Sequence, residues 1–272
     1  MAEPAGQGRG GAGTALVTGA SSGIGLELAR AFAAAGHDLV LSARSEGKLA
    51  ALAEELRGAH GVEVRVVVAD LARPEGPAVL FDAVEAAGVR VDVLVNNAGV
   101  GLHGPFAETP LARELEMIQL NVTSLTELTK RFLPGMLERK RGRILNVAST
   151  AGFVPGPFMA VYYATKAYVV SLSVALREEL SGTGVTVTVL APGATRTGFE
   201  ATSGTGETKL FRQPGVMGAR EVAEVGLQGT LAGKDIVVPG AWNRIQAAAA
   251  GLAPRWLTAK IARSLQDPAD AP

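Results

Sequence analysis

The chain has 272 residues and 26 basic against 26 acidic side chains, so it can bury a sizeable core and has no net charge to draw it to nucleic acid. It lacks cysteine, which excludes disulfides and thiolate chemistry. Its three histidines (His37, His60 and His103) show no metal-ligand spacing and read as loop or surface residues. With 47% apolar residues and no uninterrupted apolar run of about 18, the expectation is a globular cytoplasmic protein without a spanning helix.

Residues 1–13 read as a flexible tail without an apolar signal region. Thr14 to Val17 is a short strand, TGASSGIG follows at once, and a helix runs from Ile24 to Ala35 with Leu28, Phe32 and Ala35 on one face. Strand, glycine-rich turn and helix can hold a pyrophosphate: Gly19 for the tight turn, Gly23 for backbone approach, Gly25 for close seating of the helix. A tight connection with no ligand is the alternative. Asp38 to Ala43 is a second strand with Arg44 directly after it, then Ser45 and Lys48. An acid here suits the ribose hydroxyls of NAD, whereas an arginine suits the 2′-phosphate of NADP; the alternative is a solvated loop arginine. Lys48–Leu56 reads as helix, Glu63–Val68 as a strand closed by Asp70-Leu71, and Glu75–Ala87 as helix. Val91–Val95 is a strand running into Asn96-Asn97-Ala98-Gly99. Leu111–Leu137 is one long helical pattern that contains Asn121 and is bent in its last turn by Pro134. Arg143–Val147 is the fifth strand.

The stretch Ser149 to Lys166, STAGFVPGPFMAVYYATK, organises the rest. Tyr162 and Lys166 lie four apart, on one helical face. An ammonium one turn from a phenol favours the phenolate and suits it to acid–base work near neutral pH. Ser149 can reach the same point if the loop folds back. A chance surface pair is the alternative for these residues taken alone. The helix runs to about Leu180, Val185–Leu190 is the sixth strand, and Pro192-Gly193 follows. Residues 194–218 read as a mobile loop beside a site, Ala219–Ala232 as a helix, and Asp235–Val238 as the last strand. This alternation predicts right-handed βαβ units in one domain over residues 14–240, with a helical extension over 241–272.

TGASSGIG, Asp70, NNAG at Asn96 to Gly99, Asn121, Ser149, YYATK and PGATRT come in the order of one family, and the chain resembles the short-chain dehydrogenase/reductases. The resemblance implies an α/β Rossmann-type, doubly wound parallel sheet of seven strands in the order 3-2-1-4-5-6-7, with a nicotinamide cofactor across the carboxyl ends. Carried over, Tyr162 is the proton donor or acceptor, Ser149 polarises the substrate oxygen, Lys166 lowers the tyrosine pKa and binds ribose, and Asn121 positions a proton-relay water. NADP would be held by Gly19, Ser21, Ser22, Gly23, Ile24, Gly25, Arg44, Asp70, Leu71, Asn97, Ala98, Gly99, Tyr162, Lys166, Pro192, Gly193, Thr195 and Thr197. Tyr163, three residues from Lys166, also competes for the catalytic role; the family's spacing favours Tyr162.

The implied activity is NADP(H)-dependent interconversion of a carbonyl and a secondary alcohol. The alternatives are a 3-oxoacyl ketoreductase, which the C-terminal continuation past GKDIVVPGAWNR weakens, and a non-catalytic NADP-binding relative. Apolar walls (Phe153, Val154, Phe158, Met159, Phe199, Leu210, Phe211) favour an apolar substrate. The family forms homodimers and homotetramers, and Ala160, Ala164, Ala167 and Ser171 would let two helices approach. From Pro254, Leu257, Ile261 and Leu265 share one helical face, with Arg255, Trp256, Lys260 and Arg263 on the other. The expectation is that the aliphatic face docks on the domain or a partner subunit; the sharper alternative is peripheral contact with an anionic membrane.

Overall fold

The β-branched runs pair into a parallel sheet in the computed structural model, which describes residues 11–206, 208–213 and 215–266; residues 1–10 of the expected tail lie outside it. The six long strands are β1 (Thr14–Thr18), β2 (Asp38–Ala43), β3 (Val64–Val68), β4 (Val91–Asn96), β5 (Gly142–Val147) and β6 (Val185–Leu190). Two short strands, β7 (Thr195–Arg196) and β8 (Met217–Gly218), form a separate parallel ladder. With β9 (Ile236–Val237) the main sheet has the order β3-β2-β1-β4-β5-β6-β9. That is the expected Rossmann-type order, its seventh strand being β9. The order reverses between β1 and β4, which leaves a crevice at their carboxyl ends.

Successive residues of a strand point to opposite faces, and both faces are covered. Ala15, Val17, Val93 and Val95 pack with Leu28 and Phe32 of α1 (Gly23–Ala34) and Leu49, Leu52 and Leu56 of α2 (Glu46–His60). Leu16 and Leu94 face the other way, onto Leu80 and Val84 of α3 (Gly76–Ala86). The long helical pattern proves to be three pieces. These are α4 (Leu111–Ile118), a π-helical turn at Gln119–Ser124, and α5 (Leu125–Glu138), which supplies Leu128, Phe132 and Met136 to that second face. α5 carries Pro134 within it and continues to Glu138. The remaining long helices are α6 (Ala160–Glu179), α8 (Ala219–Leu231), α9 (Ala241–Leu252) and α10 (Arg255–Gln266), with a short α7 (Phe199–Ser203) before α8.

Three expectations need correction. His37 lies in the loop between α1 and β2, as expected, but it is not at the surface: it is 3% exposed, its ring stands edge-on to Phe32, and its Nδ1 lies 3.2 Å from the Gly13 carbonyl. Burial pushes its pKa below the ordinary value. Residues 194–218 are not a featureless loop, since β7, α7, a 3-10 turn at Lys209–Arg212 and β8 lie within them. These elements are two to five residues long, too short for periodicity to reveal. In α10 the face docked on the domain is Thr258, Ala262 and Gln266, while Leu257 and Ile261 stay 38% and 53% exposed, so within one chain the aliphatic face does not dock on the domain. A small side chain and two that hydrogen-bond locally or across helices fit a close contact that bulky aliphatics would hold apart.

Candidate active site

The crevice is a cleft of about 720 Å³ whose floor is knitted by one threonine. Thr18 Oγ1, at the end of β1, accepts from the backbone N–H of Asn97 and Ala98 and donates to Val95 O, at 3.0 to 3.1 Å. Asn97 Nδ2 returns a hydrogen bond to Thr18 O at 2.9 Å. The two strand ends are therefore locked, and the glycine turn is held above them. Gly19 and Gly23 sit at φ +66° and +57°, where side chains are disfavoured. A Cβ at Gly25 would stand 2.3 Å from Asn97 Nδ2 and from Gly19 O, so α1 seats directly on the turn, as expected. Gly25 itself does not line the cleft, whereas Gly19, Ser21, Ser22, Gly23 and Ile24 do.

Along the cleft the structure brings together Arg44, Asp70, Leu71, Asn97, Ala98, Gly99, Pro192, Gly193, Thr195 and Thr197. Arg44 is exposed at the end of β2 with Ser45 and Lys48 beside it, and among the described residues its guanidinium makes no ion pair. Asp70 Oδ1 accepts from Ala72 N, which fixes the turn after β3. Thr197 Oγ1 accepts from Phe199 N, and Glu200 accepts from the N–H groups of Thr197 and Gly198, so side chains hold the β7–α7 corner.

At the other end, Ser149, Tyr162 and Lys166 share one wall. Ser149 caps a 3-10 turn at Thr150–Phe153; its Oγ accepts from Ala151 N and donates to Pro192 O. The loop thus folds back as the sequence requires. Tyr162 packs its ring against Phe199, with centroids 5.4 Å apart. Lys166 is 5% exposed, donates to Val147 O at 2.9 Å, and has its Nζ 5.8 Å from the centre of the Tyr162 ring. Asn121 lies in the π-helical turn and is 2% exposed. Its amide donates to Val100 O and Thr165 Oγ1 and accepts from Val100 N. It stands behind the cleft wall, joining the loop after β4 to α6.

The electrostatics depart from the sequence expectation. Burial pushes the Tyr162 phenol above its ordinary range, with the neighbouring Ser149 hydroxyl pulling the other way. Burial also pushes Lys166 down to about 8. Desolvation is the largest cause of both shifts, so in this state the tyrosine keeps its proton.

Of the expected apolar walls, Met159, Phe199, Leu210 and Phe211 line the cleft. Phe153 instead packs against the cluster of Leu125, Val169 and Val189, Val154 against that of Ala151 and Met159, and Phe158 (φ +65°) against His103 and Arg263. The sequence reading missed Gln266. It is 1% exposed, lines the cleft and donates to Tyr163 Oη at 3.0 Å, while its own backbone carbonyl lies 3.1 Å from His103 Nε2. Its partners are over a hundred residues away, so no local pattern could announce them. Tyr163 is thereby tied to the end of α10.

Residues 13–208 match the family described as short chain dehydrogenase. This chain is a short-chain dehydrogenase/reductase. It is similar to the very-long-chain 3-oxoacyl-CoA reductase of Anas platyrhynchos, 39% identical over 184 residues, which are 65% of this chain and 58% of that protein. The chain thus spans under two thirds of that relative's length. Among solved structures it is similar to a short-chain dehydrogenase from Sphingobium yanoikuyae in complex with NADPH (TM-score 0.77, 36% identity, 88% of this chain and 94% of that one). It is also similar to the bulky-bulky ketone specific alcohol dehydrogenase from Comamonas testosteroni (TM-score 0.74, 33% identity, 88% and 93%). Short-chain dehydrogenase/reductases bind NAD(P), and the cleft suits such a dinucleotide. A Cβ at Gly23 would come within 3.1 Å of Thr197, and one at Gly99 within 3.4 Å of Lys166 Nζ. Side chains at these points would fill the space a cofactor needs.

Proposed function

We propose that the chain is an NADP(H)-dependent reductase of apolar carbonyl compounds, and that it works as a homo-oligomer. The observation that carries the reading is the shared wall of Ser149, Tyr162 and Lys166 at one end of a cleft whose other end holds Arg44 and Lys48. NADPH, when bound, supplies the hydride. Tyr162, kept protonated by burial, gives its phenolic proton to the oxygen of the carbonyl being reduced. Ser149 holds that oxygen, Lys166 binds ribose, and Asn121 keeps the loop after β4 against α6. Arg44 offers a planar fork to a 2′-phosphate, with Lys48 adding charge. The family relative in complex with NADPH supports this choice of cofactor. Met159, Phe199, Leu210 and Phe211 favour an apolar substrate.

The 3-oxoacyl reductase reading is favoured by the name of the Anas platyrhynchos relative. The test is loss of NADPH absorbance on addition of bulky ketones, aldehydes, quinones and a 3-oxoacyl thioester. Turnover of ketones with NADPH is the expected result, turnover of the thioester alone selects the second reading, and no turnover of any overturns both. For assembly, α4 and α6 expose Leu111, Leu115, Ile118, Tyr168 and Val174, and Ala160, Ala164 and Ser171 lie open on α6. That surface supports a helix-to-helix contact between subunits.

A further inference from the structure

The C-terminal helices expose what a core would bury. Trp242 and Ile245 on α9 are 44% and 60% exposed, and Trp256, Leu257 and Ile261 on α10 are 63%, 38% and 53% exposed. These include both tryptophans of the chain. Leu257 and Ile261, one turn apart, form an apolar stripe on α10; Trp256 and Lys260 run beside it, with the ammonium 5.4 Å from the indole ring centre. Residues 241–272 contain Arg244, Arg255, Lys260 and Arg263 against Asp267 and Asp270, a basic balance in a chain that is neutral as a whole, and no acid lies on α9 or α10. All four cations are exposed. We infer that the exposed side of α10 rests on an anionic phospholipid surface, with Trp256, Leu257 and Ile261 at the level of the headgroups and Arg255 and Lys260 paired with lipid phosphates and carboxylates.

Charge decides between occupants. A second copy meeting this face across a twofold axis would set its basic surface against itself. An anionic bilayer complements it and accepts exposed indole, leucine and isoleucine as well. The docked side of α10 is already occupied by Thr258, Ala262 and Gln266, so the apolar stripe is not needed to hold the helix in place. The same helix ends at the cleft through Gln266, one helix length of about 18 Å from its first turn. The inference is independent of the proposed reaction, because it is read by sedimentation rather than turnover.

The experiment is co-sedimentation of the full chain with vesicles of phosphatidylcholine alone and with added phosphatidylserine. The expected result is binding to the anionic vesicles at low salt, at least tenfold less to the neutral ones, and release towards 1 M salt, where screening shortens to about 3 Å. Arg255→Glu with Lys260→Glu, and separately Ile261→Asp, should each abolish binding while leaving the melting temperature and NADPH affinity unchanged. Absence of sedimentation at low salt overturns the inference, and so does equal binding to both vesicle types. A concentration-dependent dimer without lipid that Ile261→Asp dissolves would assign the face to a second copy instead.

Discussion

A phenol lifted above its ordinary range by burial enters a reaction protonated, so deleting its hydroxyl removes the proton and little else. Tyr162→Phe should bind NADPH normally and lose roughly two to four orders of magnitude in turnover, the usual share of acid–base catalysis. Tyr163→Phe strands the Gln266 amide and should keep most activity. The reverse pattern in steady-state assays would exchange the two assignments. Lys166 carries a signature in stability. Its pKa is about 8 when folded and 10.5 as the ordinary value, so above about 8 the unfolded chain binds more protons and stability rises with pH. Tyr162 opposes this above 10, where only the unfolded chain ionises. The melting temperature should therefore gain between about pH 8 and 10, and Lys166→Met should remove that gain. Arg44→Asp replaces the proposed phosphate partner with a repelling carboxylate. It should shift the ratio of kcat/KM for NADPH over NADH by roughly ten- to a hundredfold towards NADH, as expected for lost hydrogen bonds to a charged group.

Among the elements, α1 shows a contact distance overriding propensity. Alanine for glycine inside a helix is ordinarily worth up to about 1 kcal/mol in its favour. Gly58 in α2 has no atom within 4 Å of an added Cβ, so Gly58→Ala should raise stability by about that amount. At Gly25 the same methyl would lie 2.3 Å from the Gly19 carbonyl, which cannot swing away as a side chain would. Gly25→Ala should cost roughly 1–3 kcal/mol, about 2–4 °C in melting temperature per kcal/mol. Calorimetry of the two variants should give opposite signs. The π-helical turn at Gln119–Ser124 is likewise a matter of partners. Asn121 is held by Val100 and Thr165, and Ser124 donates to Leu71 O, so the turn is anchored from three other segments.

For the molecule as a whole, the face formed by α4 and α6 is the proposed meeting surface of subunits. Leu115 is 54% exposed on it and far more apolar than a solvated position requires. Leu115→Glu should lower the particle mass measured by light scattering while leaving NADPH binding intact. A mass unchanged by this variant would remove the face from the assembly.

The strands, the glycine turn and the placing of Tyr162 and Lys166 on one helix follow from what a chain shows locally: apolar β-branched runs, glycine where φ must be positive, and spacing of one turn; the strand order came with the resemblance to a family. Only the tertiary structure decided what depends on distant partners. His37 is buried because Phe32 and Gly13 enclose it. α10 turns Ala262 rather than Leu257 inward because its neighbours are Met159 and Tyr163, at the start of α6 a hundred residues earlier. Gln266 enters the cleft for the same reason. The direction of the Tyr162 pKa also lay beyond the sequence. Adjacency of a lysine is visible in YYATK, but desolvation, the largest cause of the shift, is a property of the assembled wall and not of any residue in it.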